Sequence, residues 1–271
     1  MRRRAWLVYL SCGVAMLLAY LFVPGLRQGW LFNLIALSSP IAILIAVRIW
    51  RPEDPTPWYL FALGLACFVG GDVIAYNYEA LFMRELPFPS SADVLYLAVY
   101  PCLIAGILLL VRRRTPGRDR DSVIDSLIVA IGVGVISWTF LMEPAAQDGG
   151  SSLVQSVVGV SYPFMDLFLL TAVVRLVMGP GRRGLSFYML PAAALCLFVA
   201  DFASSYDSVR GVIYDRSGYL ELGTGMFYLL WGAAALHWSQ RQLAERTPVQ
   251  EVRIDRTRLM LLCAAMLVPQ A

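Results

Sequence analysis

Long apolar runs alternate with short polar connectors along this chain. Eight runs reach the roughly 20 residues that a bilayer-spanning helix needs: about 5–23, 30–49, 58–78, 92–111, 122–142, 153–178, 185–206 and 220–238. The connectors carry turn and breaker residues, among them Pro24-Gly25, Arg51-Pro52-Glu53-Asp54-Pro55, Pro87-Phe88-Pro89, Thr115-Pro116-Gly117, Asp148-Gly149-Gly150 and Gly179-Pro180-Gly181. The first run follows Met1 to Arg4 as a signal peptide would. It is long enough to span and lacks a clear small-residue cleavage site, so it reads as a retained helix. The pattern therefore predicts an all-α, polytopic membrane helix bundle over 1–238, a polar cytoplasmic connector over 239–258 broken by Pro248, and a ninth apolar run over 259–271. Thirteen residues are too few to cross, so the ninth run is expected to be a truncated transmembrane helix in a piece of a longer protein.

Composition agrees with the pattern. The chain is 59% apolar and 15% charged with mean hydropathy +0.65, against roughly 45 to 50% and about 25% in soluble domains. Too little polar surface remains to cover a water-soluble globule. Disorder, a collagen repeat and a disulfide scaffold are excluded on the same ground. Every basic residue is Arg, in short clusters between apolar runs rather than on one face, which argues against nucleic acid as a partner. The five cysteines (Cys12, Cys67, Cys102, Cys196, Cys263) all sit inside apolar runs without a C-x-x-C pair, so they read as packing residues.

The arginines also orient the chain. With the N-terminus in the cytoplasm, 18 of the 22 fall in inner segments, leaving only Arg27, Arg84, Arg210 and Arg216 outside. The expected location is the cell membrane, multi-pass, with a cytoplasmic N-terminus.

Aligning the acids exposes a repeat. Asp72 is followed by Asp93 and then Tyr100; Asp201 is followed by Glu221 and then Tyr228, with acid-to-acid spacings of 21 and 20. Ser39-Pro40 with Arg48 weakly matches Tyr162-Pro163 with Arg175. Four helices separate the copies, so they share one membrane orientation. The prediction is eight complete helices in a 4+4 parallel repeat, about 5–114 and 122–238, related by an axis along the bilayer normal.

Acids inside spanning segments are costly, by about 2.5 to 3.5 kcal/mol for Asp at a helix centre, and mark functional candidates. Counting along the helices puts Asp72, Asp93, Asp201 and Glu221 near one level toward the outer side, with Tyr76, Tyr78, Tyr96, Tyr100, Tyr206, Tyr219 and Tyr228 close by. Asp72 and Tyr76 share a helix face. One reading is a tyrosine and carboxylate cup, open outward, that takes a small extracellular cation, amine or polyol. The other is that the acids bond neighbouring hydroxyls or cap helices, with the tyrosines forming an interfacial belt. Asp166 is the deepest acid, three residues after Pro163; Tyr162, Pro163 and Asp166 form a candidate hinge with a proton-sensitive carboxyl. The small residues Ala62, Ala66 and Gly70 suit close helix packing.

No catalytic motif is present. A single histidine, His237, rules out a bis-His haem, a three-His zinc site and an H-E-x-x-H protease, and phosphate-loop and nucleophile-elbow patterns are missing, so no cofactor or metal is expected.

Several motifs together resemble a known family. Arg51-Pro52 before Trp58, Gly71-Asp72, Pro89-Ser-Ser-Ala-Asp93-Val-Leu-Tyr96 with Tyr100-Pro101, Tyr162-Pro163-Phe-Met-Asp166, Ala200-Asp201 and Ala235-Leu236-His237 are similar to the multi-helix membrane region at the front of actinobacterial GGDEF and EAL domain proteins. The resemblance covers roughly 30–240 and implies a sensory input module preceding cytoplasmic cyclic di-GMP synthesis or hydrolysis domains. These residues contain no GGDEF motif, and the tripeptide Glu79-Ala80-Leu81 stands at the end of the third apolar run rather than in a catalytic domain, so any enzymatic output is expected beyond residue 271. The alternative from another class is a small-solute or ion transporter. The bilayer is the expected partner, and whether the bundle forms a homodimer stays open.

Overall fold

The computed structural model describes residues 4–23, 26–114, 152–179, 181–209 and 219–244, with single positions between 128 and 139. Among the described residues every regular element is helical: α1 (Ala5–Tyr20), α2 (Leu26–Trp50), α3 (Thr56–Phe82), α4 (Ser91–Arg114), α5 (Leu153–Met178), α6 (Leu185–Val209), α7 (Tyr219–Leu236) and a terminal 3-10 helix (Trp238–Ala244). Lipid tails offer no hydrogen bonds, so apolar runs of this length satisfy their backbone internally. Local signals set several ends. Ser152 and Gln155 bond reciprocally in a capping box at the start of α5. Met83, at φ 52°, ends α3 in the left-handed region.

Five of the helices are long and apolar enough to cross a membrane: α2 from Arg27, α3 to Glu79, α4, α5, and α6 to Asp207. Two are shorter than the sequence pattern predicts. The 16 residues of α1 and the 18 of α7 reach only about 24 and 27 Å at 1.5 Å per residue. The chain leaves α1 in a turn before Pro24-Gly25, and α7 tightens into the 3-10 helix at its end. The expected fifth run (122–142), apart from those single positions, and the ninth (259–271) lie outside the described residues.

In packing order α2, α3, α4, α5, α6 and α7 form a closed ring, with α2 also against α7, while α1 rests on the outside against α7 and α2. The ring interior holds an aromatic column. Trp58 meets Phe61, Phe61 meets Trp231, Trp231 meets Phe227, and Phe68 joins Phe227 to Tyr96 and Tyr228, with successive centroids 5.2 to 5.7 Å apart. Outside, large apolar side chains such as Leu34, Leu37, Ile41, Phe164, Phe168, Leu195 and Val199 are exposed. Contiguous apolar surface of this kind belongs against lipid.

The small-residue stripe Ala62, Ala66 and Gly70 packs only in part: Ala62 is buried in the core and Gly70 meets Leu95 of α4. Ala66 points outward. The close approach to α4 falls instead at Gly64, where an added Cβ would stand 3.0 Å from Cys102 Cβ, and at Gly71, two turns on. Helical rotation places residues seven apart on one face, and these two meet α4 most closely, with Gly70 beside them against Leu95.

The first residues of the expected connector belong to the bundle. Ser239, Gln240 and Leu243 are buried, and the indole of Trp50 donates to the Leu236 carbonyl at 2.9 Å. The arginines at this end make it the arginine-rich end of the bundle: Arg48, Arg51, Arg112, Arg113, Arg114, Arg175, Arg182, Arg183 and Arg241.

Candidate functional site

The acids and tyrosines singled out from the sequence meet inside the ring, toward the arginine-poor end. Asp72, past the middle of α3, accepts from Tyr96 of α4 (3.0 Å) and from Tyr228 of α7 (2.6 Å). Tyr100 of α4 lies between two carboxyls, 2.8 Å from Asp166 of α5 and 3.2 Å from Asp201 of α6. Tyr162 of α5 donates to Asp93 Oδ1 at 2.6 Å. Five helices of the ring are tied together by these contacts.

Each piece has a local cause. A Cβ on Gly71 would stand 2.5 Å from the Tyr96 ring, so glycine at that position lets the phenol lie flat against α3 and reach Asp72 one residue on. Asp93 is the third residue of α4. Its Oδ2 accepts from the Ser90 N–H at 2.6 Å while Ser90 Oγ accepts from Ala92 N–H at 3.1 Å, so the two side chains together cap the start of α4. Asp93 therefore does both things the sequence allowed: one oxygen caps a helix and the other takes a tyrosine. Phe68 supports the two phenols of the Asp72 group, 5.3 Å from each ring, and no sequence signal distinguishes it from other core aromatics.

The pairing crosses the molecule. Asp72 takes the hydroxyl of Tyr228, and Asp201 takes that of Tyr100. Residues that occupy matching places in the two aligned stretches thus bond across to one another. Asp166 is the asymmetric member, because α2 carries no acid.

The remaining candidates sit around this seam. Tyr76 stacks on Phe32 of α2 with centroids 5.0 Å apart. Glu221 is buried near the start of α7, and Tyr206 is half-buried on α6. Tyr78 stacks on Phe82, 4.8 Å away, beside the lipid-exposed end of α3 rather than in the seam. α5 remains helical through Pro163, so the expected hinge residues Tyr162 and Asp166 here serve as two bonding points on one continuous helix. The carboxyls are unevenly covered, with Asp201 half-buried. Asp72 is 3% exposed and Asp166 5%, and their neighbours are phenols rather than solvent.

A tyrosine hydroxyl has one proton to give. Tyr100 can therefore donate to only one of its two carboxyls at a time, and the other contact requires either a shared proton position or a carboxyl proton. The seam can rearrange protons among Asp166, Tyr100 and Asp201 without moving a helix. Among the described residues no three His, Cys, Asp or Glu side chains gather as a metal-binding set.

At the arginine-rich end His237 follows α7. Its Nδ1 accepts from the Ser239 N–H at 3.1 Å and lies 2.8 Å from Ser239 Oγ, which in turn donates to Ser186 Oγ at 2.9 Å. The Trp6 ring packs edge-on to the imidazole at 5.2 Å. Accepting from a backbone N–H demands a neutral ring, and burial pushes the imidazole below its ordinary 6.5. The unfolded chain then binds the extra proton as pH falls through that ordinary value, so the stability this contact contributes is present above about 6.5 and lost below it. The unfolding midpoint should drop between pH 7.5 and 5.5, and His237→Asn should flatten that part of the profile. An identical slope in the variant would remove His237 from the account.

Comparison with known protein families, characterised proteins and solved structures finds no match for this chain.

Proposed function

We propose that this bundle is a membrane-embedded sensory input module, the front part of a cyclic di-GMP signalling protein with its N-terminus in the cytoplasm and its tyrosine and carboxylate seam toward the outside. The observation that carries the reading is the cross-pairing of Asp72 with Tyr228 and of Asp201 with Tyr100. Two contacts of the same chemistry hold the two aligned stretches together at one level, so a stimulus that competes for either carboxyl alters how the halves meet. An extracellular amine or cation has the charge to do so. The aromatic column from Tyr228 and Tyr96 to Trp58 gives the change a packed route to the arginine-rich end. The closed ring order, in which α4 meets α5 as α7 meets α2, supports a parallel internal repeat. The arginine bias supports the orientation, and the motif resemblance supports the signalling class.

A specific feature favours a second reading, a proton-coupled transporter. Asp166 stands mid-helix at the junction of the two halves and shares Tyr100 with Asp201. The test is made on the full product of the gene. Asp72→Asn and Asp201→Asn should insert and accumulate normally yet abolish stimulus-dependent change in cellular cyclic di-GMP. A reading frame that ends with no GGDEF or EAL domain, together with proton-driven solute uptake in proteoliposomes lost in Asp166→Asn, would overturn the sensor and favour the transporter.

A further inference from the structure

Arg114 closes α4 with its side chain turned into the protein. It is 2% exposed, whereas Arg112 is exposed and Arg113 pairs with Asp54. Arg114 Nη2 donates to the Arg182 carbonyl at 2.7 Å, and the guanidinium lies over the Phe187 ring, 4.8 Å from its centroid. Its Nε and Nη1 are both buried and have no acceptor among the described residues. A guanidinium carries five donors and keeps its charge, and buried charges are as a rule paired.

Among the described residues, the charge set beside it is that of Arg183. The Arg183 guanidinium approaches the same Phe187 ring, 5.9 Å from the centroid, and stands near enough to repel Arg114. The loop between α5 and α6 is shaped for this approach. Gly181 has φ 141°, a conformation L side chains rarely adopt, and a Cβ there would collide with the Arg114 guanidinium. The loop leads into the start of α6, whose aligned peptide dipoles add partial positive charge. The group also stands at the end of membrane-crossing helices, at the level where lipid headgroups lie.

We propose that Arg114 and Arg183, with the Gly181–Gly184 loop, form a binding site for a phosphate ester. A phosphate oxygen would supply the acceptors that Nε and Nη1 lack and would offset the repulsion between the two arginines, and guanidinium suits phosphate by geometry as well as charge. The ester can belong to an anionic lipid headgroup or to a soluble phosphate compound; both present the same oxygens. The site is independent of the tyrosine and carboxylate seam.

The whole protein in detergent micelles is titrated with phosphatidylglycerol, with phosphatidylcholine as control, and separately with inorganic phosphate against chloride at equal ionic strength, while tryptophan fluorescence reports binding and the unfolding midpoint. Wild type should bind phosphatidylglycerol or phosphate and unfold at higher temperature when loaded. Arg114→Gln should weaken binding about tenfold, as for a lost charge-assisted hydrogen bond. Arg183→Gln, at an exposed position, should weaken it about fivefold, near the 1 kcal/mol expected of one basic residue beside an anionic headgroup. Arg112→Gln should leave it unchanged. Binding of lipid alone assigns the site to the bilayer, and binding of inorganic phosphate alone to a soluble ester. If Arg114→Gln does not accumulate, Arg183→Gln and Arg114→Lys decide. Equal affinity in wild type and Arg183→Gln, or equal losses in Arg183→Gln and Arg112→Gln, would overturn the proposal, since either result reduces it to general surface charge.

Discussion

Tyr100→Phe should lower the stability of the bundle by about 2 kcal/mol, in keeping with the roughly 1 to 3 kcal/mol of leaving a buried polar group without its hydrogen bond. The substitution removes one oxygen and leaves the ring packed, so the loss belongs to the hydroxyl. That hydroxyl is the only described group seen to join Asp166 of α5 to Asp201 of α6, and without it two carboxyls remain buried with less than they had. Interhelical hydrogen bonds in membranes average only about 0.6 kcal/mol, which sets the comparison: Tyr96→Phe, which leaves Asp72 with its bond from Tyr228, should lie near that smaller value. Unfolding of the purified protein in mixed micelles, followed by circular dichroism, measures both. Adding Asp166→Leu to Tyr100→Phe should recover part of the loss, because one of the two stranded acids is gone. If the double variant costs the full sum of the singles, the hydroxyl does not mediate between the two acids.

Gly71→Ala should cost about 2 kcal/mol, the usual range for forcing a methyl into a filled interior, while Gly70→Ala, one residue away, should be neutral or slightly stabilising. The two glycines differ in what an added Cβ meets. At Gly71 it meets the face of the Tyr96 ring at 2.5 Å; at Gly70 it meets only the end of the Leu95 side chain at 3.2 Å, which can turn aside. Helix propensity by itself would favour alanine at both positions by about 1 kcal/mol. The Gly71 penalty is therefore a net figure after that gain. Because the displaced ring carries the hydroxyl that bonds Asp72, Gly71→Ala should also lose most of the separate effect of Tyr96→Phe. Thermal unfolding of the four variants, two single glycine changes and each with Tyr96→Phe, decides it. Equal effects at 70 and 71 would mean that α4 can shift to accommodate either methyl.

Much of this molecule is legible in the chain because a bilayer removes alternatives. Apolar runs near 20 residues long must satisfy their own backbone, so the all-helical class and most helix positions follow from hydropathy alone. Buried acids are expensive enough that their presence in such runs marks the residues that must find partners. That is why Asp72, Asp93, Tyr96, Tyr100, Asp166, Asp201 and Tyr228, picked by spacing, do meet. Two things escape a one-dimensional reading. Helix length depends on where a run is tightened or turned, so α1 and α7 come out shorter than their hydropathy suggests. Helix rotation also decides which small residues face a neighbour, so Ala66 turns outward while Gly64, Gly70 and Gly71 face α4.

The sequence by itself determined that the chain is helical, that it suits a membrane, and which polar groups lie within its apolar runs. Only the tertiary structure decided who bonds whom: that Asp72 and Asp201 take tyrosines from across the ring while Asp93 and Asp166 pair between neighbouring helices, and that Arg114 turns inward while Arg112 does not. The physical reason is that burial cost is a property of a residue in its run, whereas a hydrogen bond is a property of two side chains on different helices, fixed by rotation and packing order that no local pattern encodes.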